Sequence, residues 1–267
     1  GRSGLIERLS ATLGTLEHLP RHRGHFHNWI DTRTLAVLPP AYVSTVDSGN
    51  CSGHLLAVAQ ACLRLAASPP TLHDWSAPLA QSRARLSALA PAIEADATLR
   101  MLGATLALSA LPESAQERRA LTVQLARARA ELDAPWRHGP GDPAGASTGD
   151  SDPARWLLHD HVALLTAMLQ DAEADPDAQR EVLRDLAGRC RALALAPDYA
   201  MLYDCDRKLL RIGYRVDSQQ LDDNHYDLLA SESRLTSLVA IGKGDVPVAH
   251  WAALGRPFFA CGSALGL

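Results

Sequence analysis

The chain has 267 residues, a length that suits one large domain or two small ones. Hydrophobic residues make up 47% but aromatic ones only 5%, so the core must be built mostly from Ala and Leu, which favour helix. A formal net charge of −4 leaves no basic footprint for nucleic acid, and no apolar run reaches the roughly 18–20 residues of a membrane span.

Taken in chain order, residues 3 to 18 carry Leu5, Ile6, Leu9, Leu13 and Leu16 at helical spacing. The opening GRSGLIERLS lacks the pattern of a secretory signal. Residues 19 to 47 are polar and aromatic, and Pro39-Pro40 forbids regular helix there. A helix is predicted from about Ser48 to Ala67, with Asp47 or Ser48 as its cap and Leu55, Leu56, Val58, Ala59, Cys62 and Leu63 inward. Residues 84 to 110 read as one or two Ala/Leu helices, and 113 to 134 as another opened by Pro112-Glu113. Residues 137 to 153, dense in Gly, Pro, Ser and Asp, read as a flexible loop. Helices follow at 153 to 172 and 176 to 195, broken at Asp175-Pro176. At 200 to 216 the pattern changes to two short strands around Asp204–Lys208, a β-hairpin. A helix from about Asn224 to Gly242 and a short one at 247 to 254 complete the chain. The expected class is all-α in the main, with seven to nine helices paired by short connections. Five scattered cysteines, without CxxC spacing, read as reduced structural thiols.

Three clusters carry candidate chemistry. The first lies in GHFHNWIDT, residues 24 to 32, with His25, His27, Asn28, Trp29 and Asp31. An indole offers a flat apolar face to the C–H side of a pyranose, and Asn and Asp can bind adjacent hydroxyls. The bland reading is a loop pinned by Phe26 and Trp29; a metal held by His25, His27 and Asp31 lacks a further strong ligand. The second cluster is Ser44, Thr45, Asp47, Ser48 and Asn50, where Asp47 reads either as a helix cap or as a ligand-binding group at a helix mouth. The third is Asp222, Asp223, His225, Tyr226, Asp227 and Glu232, at the start of the predicted helix. Glu232 sits beside the stripe Leu228, Leu229, Leu235 and Leu238, where a carboxyl would hold its proton more tightly, as a general acid requires; its alternative is an ion pair with Arg234. GKGDVP, residues 242 to 247, lacks the full phosphate-loop pattern and reads as a helix stop.

The blocks GHFHNWIDTRTLAVLPPAYVSTVDSGNCSGHLLAVAQ and MLYDCDRKLLRIGYRVDSQQLDDNHYDLLASESRLTSLVAIGKGDVPVAHWAALGR resemble the middle region of cyclic β-1,2-glucan synthases. The likeness covers residues 24 to 66 and 198 to 256. That region is in turn similar to endo-β-1,2-glucanases. The resemblance implies a partial (α/α)6 toroid, with residues 1 to 267 as the N-terminal part of a single glycosidase-like domain. It implies cyclisation of linear β-1,2-glucan by retaining transglycosylation, with one carboxylate attacking the anomeric carbon and another protonating the leaving oxygen. Glu232 and Asp47 are the candidate carboxylates; His27, Asn28, Trp29, Asp31, Asn50, Tyr226 and Asp227 are the candidate glucan-binding residues. No metal or cofactor is implied. The partners expected are the glucan and the remaining domains of a parent polypeptide at a bacterial inner membrane, this segment itself being soluble. The family has FYNWYD where this chain has His27 and Ile30 in place of the two tyrosines, SGNLAGHL where it has Cys51 and Ser52, and SEARL where it has Ser233. In the family a Trp-Ser-Gly and Phe-Glu-Tyr segment with a candidate catalytic glutamate follows the run GSALGL. We therefore expect a piece of a longer polypeptide, inactive alone. The alternatives are a hydrolytic endo-β-1,2-glucanase fragment and a non-catalytic glucan-binding module.

Overall fold

The computed structural model describes residues 1–68, 75–95, 100, 111–133, 153–227, 231–255, 259–261 and 264–266. Helices dominate these residues and the sheets are small and antiparallel, so the fold is mainly α as expected. The chain divides into two compact units, Gly1–Glu7 with Pro69–Gln179, and Arg8–Ser68 with Arg180–Leu267. The loop expected at 137 to 153 lies outside the described residues except for Pro153, as does most of the helix expected to reach 110.

In the first unit, α1 (Arg2–His18) begins on Asp171, whose carboxylate accepts from the backbone N–H groups of Arg2 and Ser3 at 2.8 and 2.7 Å. The helices that follow are α2 (Thr45–Ala67, in the other unit), α3 (Ser76–Ala88), α4 (Ala90–Ala95), α5 (Ala115–Asp133) and α6 (Pro153–Glu173). Helix α5 opens on a capping box. Ser114 Oγ accepts from the Glu117 N–H at 3.1 Å and donates to the Glu117 carboxylate at 2.8 Å, so Ser114 marks the start that Pro112-Glu113 only approximated. Its far end is closed by Arg155, which donates to the carbonyl of Leu132 at 2.9 Å. Leu121, Leu125, Ala128 and Leu132 recur at helical spacing and pack on Leu158, Val162, Leu165 and Leu169 of α6, with Leu79 of α3 and Ile93 of α4. These side chains are the unit's core.

The second unit holds the rest of α1 from Arg8, α2, α7 (Pro176–Leu195) from Arg180 onward, α8 (Arg234–Lys243) and α9 (Ala249–Ala253). In α2 the inward stripe is Ser48, Ser52, Leu55, Ala59, Cys62 and Ala66; Leu63, expected inside, faces out. The helix begins at Thr45, three residues earlier than predicted, because Ser44 caps it: its Oγ accepts from the Asp47 N–H at 3.2 Å. Asp47 is therefore a first-turn residue and not the cap. Helix α8 packs along α2, and Gly49 lets Thr236 come so close that a Cβ there would collide with its backbone. The helix expected from Asn224 is corrected. Residues 222 to 227 are extended, His225 bridges to Arg211, a 3-10 turn covers Ser231–Ser233, and α8 starts only at Arg234. The backbone there pairs with Leu210, Ile212 and Gly213, while residues 228 to 230 of the expected helix lie outside the described residues. Gly244 in the left-handed region ends α8, and Lys243 donates to Pro197 O and to Asp245, so GKGDVP is a helix stop.

The hairpin expected at 200 to 216 is present. The strands β1 (Arg21–His22), β2 (His25–Phe26) and β3 (Tyr42–Ser44) precede it; β4 (Tyr203–Asp204) and β5 (Leu209–Leu210) form it. A second hairpin, β6 (Gly213–Arg215) with β7 (Gln220–Leu221), adds to β3 in the order β3-β6-β7, with Tyr42 opposite Arg215 and Ser44 opposite Gly213. A last pair, β8 (Phe259–Cys261) and β9 (Ala264–Gly266), follows α9. The core of this unit gathers Tyr199, Leu202, Leu210, Val239, Ala240 and Val246.

Candidate active site

A cavity of about 400 Å³ opens in the second unit, lined by Phe26, His27, Asn28, Trp29, Asp47, Ser48 and Cys51. One wall is β2 and the chain that leaves it; the other is the first two turns of α2. The first wall is fixed by its backbone. Arg23 and Gly24 make the turn between β1 and β2 at positive φ, and Asn28 N–H donates to Tyr42 O at 2.8 Å. The loop beyond is closed by Leu38 N–H to Trp29 O at 3.0 Å and by the Ile30–Val37 bridge. Trp29 is 58% exposed, so its indole does not pin the loop; it stands at the mouth with a face available.

Under the cavity lies a buried chain of hydrogen bonds. His25 is fully buried, with Nδ1 2.9 Å from Ser48 Oγ and Nε2 2.9 Å from the Asp198 carbonyl. A carbonyl only accepts, so Nε2 carries the proton and Ser48 donates to Nδ1. Burial holds the pKa of His25 below its ordinary value. By the same logic Tyr199 donates to Ser48 O at 3.0 Å and accepts from Ser52 Oγ at 2.8 Å; burial pushes its phenol up to about 12. His25, weighed above as a metal ligand, thus has both ring nitrogens engaged in protein hydrogen bonds. His27 differs: its Nδ1 is buried without a hydrogen-bond partner, and burial lowers its pKa.

The acidic residues sort by position. Tyr226 is half-buried, and its pKa is raised first by burial and then by the carboxylates of Asp47, Glu232 and Asp222. Asp47 and Glu232, 185 positions apart in sequence, thus both act electrostatically on the same phenol. The 3-10 turn bearing Glu232 packs against α2, and Glu232 itself is exposed. Asp222 is engaged by Tyr42, whose hydroxyl donates to it, and by Arg215 at 3.4 Å. Asp31 is spent locally. Its carboxylate accepts from the Arg33 and Thr34 N–H groups at 2.7 and 3.1 Å, which lowers its pKa. The Asn50 carbonyl accepts from His54 at 2.7 Å, and neither Asn50 nor Asp227 lines the cavity. The structure thus gathers His27, Asn28, Trp29 and Asp47 at the cavity, carries Glu232 on a turn packed against α2, and leaves Asp31, Asn50 and Asp227 outside the cavity.

No protein-family description matches the chain. Compared with curated proteins, it is 36% identical over 279 aligned residues to the cyclic beta-(1,2)-glucan synthase NdvB of Rhizobium meliloti (strain 1021). The alignment covers 97% of this chain. This chain is a segment of the cyclic β-(1,2)-glucan synthase family. It spans about 10% of the length of that relative.

Membership of the cyclic β-(1,2)-glucan synthase family does not by itself assign the residues that sequence reasoning passed over. Cys51 and Phe26 line the cavity, and neither was singled out as binding. Arg211 and Asp204 were read only as hairpin residues. In the structure Asp204 accepts from Arg211 at 2.7 Å and from His225 Nε2 at 3.0 Å, which ties the segment before Tyr226 to the hairpin. The backbone N–H of Arg207 leads the lowering of the Asp204 pKa. The available signal was the DCDRK turn, whose aspartate also accepts from the Asp206 and Arg207 N–H groups. Among the described residues no helix is long and apolar enough to cross a membrane, and no group of three His, Cys, Asp or Glu side chains is placed to hold a metal. Cys51, Cys62, Cys190 and Cys205 are free thiols.

Proposed function

We propose that this chain is part of the glucan-handling region of a cyclic β-1,2-glucan synthase, binding β-1,2-glucan and contributing to its cyclisation by retaining transglycosylation. The observation that carries the reading is the cavity in which an exposed indole, Trp29, meets an amide, an imidazole and the Asp47 carboxylate. A sugar ring presents an apolar face and hydroxyl edges, and that set answers both. The sequence relationship to a named cyclic β-(1,2)-glucan synthase supports the substrate.

In this reading Trp29 stacks on a glucose, and Asn28 and His27 bind hydroxyls. Asp47 and Glu232, both of which act electrostatically on Tyr226, are the carboxylates that handle the anomeric carbon and the leaving oxygen. Tyr226 and the residues that do not line the cavity, Asp31, Asn50 and Asp227, bind glucose units further along the chain. The helices belong to an (α/α) toroid that the rest of the polypeptide completes at a bacterial inner membrane. Retaining transfer needs the acceptor hydroxyl to be held where water would otherwise react.

The test uses the intact parent polypeptide and linear β-1,2-glucan. Wild type yields rings, each lighter by one water than a linear chain of the same number of glucoses, together with the shorter linear glucan that leaves as the ring closes. Asp47→Asn and Glu232→Gln each lower turnover by at least about a hundredfold, the usual worth of an acid–base group. Unchanged turnover in Glu232→Gln removes it from the catalytic pair. Shorter linear products without rings mean hydrolysis, and binding without turnover means a glucan-binding module.

A further inference from the structure

The hydrogen bonds beneath the cavity fix more than a fold. Ser48 has one hydroxyl proton, and it points to His25 Nδ1, because His25 Nε2–H is committed to the Asp198 carbonyl. The Ser48 carbonyl is likewise taken by Tyr199. Ser48 lines the cavity, so the only capacity its side chain has left for a ligand is to accept. Its neighbour Asp47 lines the same cavity, and an ionised carboxylate also only accepts. Two consecutive residues of α2 therefore make a corner with no donor.

We propose that Ser48 is a specificity-determining acceptor for one hydroxyl of the 3,4-diol of a glucosyl unit, beside the Asp47 carboxylate that serves the chemistry. The proposal rests on the glucan reading above. In a β-1,2-linked chain the O2 of each internal glucose is occupied by the linkage. Hydroxyls remain at carbons 3, 4 and 6, and only those at 3 and 4 are neighbours. Ser48, with its own proton committed to His25, can accept from one of these two. A corner without donors also disfavours anionic ligands, whose oxygens would meet the Asp47 carboxylate and the Ser48 lone pairs. His25 and Tyr199 act as positioning residues: they touch no ligand, and they set the direction in which the Ser48 proton points. The burial that depresses protonation of His25 keeps this direction fixed near neutral pH.

Two measurements test this, the first on the 267-residue chain and the second on the intact parent polypeptide. Nitrogen-15 NMR of the imidazoles reads the tautomer of His25. A neutral ring with its proton on Nε2 is expected; a proton on Nδ1 near neutral pH overturns the proposal, since Ser48 would then donate into the cavity. Calorimetry compares a linear β-1,2-gluco-oligosaccharide with analogues carrying fluorine in place of the 3- or 4-hydroxyl, because fluorine cannot donate. Wild type should bind the analogue lacking the Ser48-facing hydroxyl about tenfold more weakly, the worth of one hydrogen bond. Ser48→Ala should weaken the parent sugar by a similar factor and leave that analogue unchanged. Equal affinity of wild type for the parent and both analogues overturns the proposal, as does an equal loss for parent and analogue in Ser48→Ala. Failure of wild type to bind the parent oligosaccharide sinks the glucan reading instead, and the tautomer still decides whether Ser48 is an acceptor.

Discussion

Trp29 and His25 came from the same nine-residue stretch, yet the structure gives them opposite fates. Trp29 is 58% exposed and makes its contacts at the cavity mouth. Trp29→Ala should therefore change unfolding free energy by no more than about 0.5 kcal/mol while weakening β-1,2-glucan binding by about tenfold or more. Thermal melts beside calorimetry check both halves; a large loss of stability with unchanged binding would return Trp29 to a structural role. His25 is the reverse case, a buried side chain serving the fold, and so is His250, whose Nδ1 donates to the Lys208 carbonyl while Ser237 donates to Nε2. Burial holds both rings below their ordinary value near 6.5. The unfolded chain, with ordinary imidazoles, takes up protons first as pH falls. Stability is thus complete above about pH 6.5 and declines below it, by up to ~1.4 kcal/mol per pH unit for each ring, until the folded rings protonate too. Glu17, Asp31 and Asp204, whose pKa values are lowered, act in a more acid window: their contributions are present above the ordinary carboxylate value and vanish as pH falls through the folded one. A melting temperature flat from about pH 7 to 5, falling only below that, would show that the buried histidines carry no such linkage. Residue type alone could not separate these roles, because burial decides them and burial is a property of the fold.

At the scale of elements, the legible parts were those whose signal is local. Helices α6 and α7, the break at Asp175-Pro176 and the hairpin around Asp204 follow from periodicity, proline and turn chemistry. The illegible parts were set by distant pairing. Strand β3 finds its partner β6 more than 160 residues later, and residues 222 to 227 leave the helical pattern because Arg211 and Asp204 hold them extended. The α2 start was misplaced for a related reason. Ser44, Asp47 and Ser48 are all good caps, and the end of β3 selects Ser44. Ser44→Ala should then cost about 1 kcal/mol, with Ser44→Thr recovering most of it. Because Asp47 sits in that first turn, the same substitution should lower glucan turnover, and Thr should restore it. The α2–α8 contact makes a second claim at this scale. Gly49→Ala puts a methyl group against the Thr236 backbone and should destabilise by about 1–3 kcal/mol, as overpacking does. A neutral result in chemical denaturation would mean that the two helices separate easily.

At the scale of the whole molecule, the division into two units bears on where function is placed. Every residue lining the cavity, together with Tyr226 and Glu232, belongs to the unit made of Arg8–Ser68 and Arg180–Leu267. The other unit has its own apolar core on α3, α5 and α6, and none of the candidate site residues falls in it. Sequence reading saw this asymmetry in part, since its motif blocks stopped at residue 66 and resumed at 198. It places the Ala/Leu helices between them in the same domain, and helical periodicity does not tell which helices share a core. Stability and glucan recognition should consequently be separable by mutation. Leu158 is fully buried in the first unit's core, so Leu158→Ala should cost about 2–5 kcal/mol through lost transfer energy and the cavity left behind. Well below the melting temperature of the variant, its affinity for a linear β-1,2-gluco-oligosaccharide should match wild type within about twofold, since no group in the cavity has been touched. Denaturation curves read the first effect and calorimetry at low temperature the second. A loss of affinity in step with the loss of stability would show that the site draws on both units, and would assign the Ala/Leu helices a part in holding the glucan.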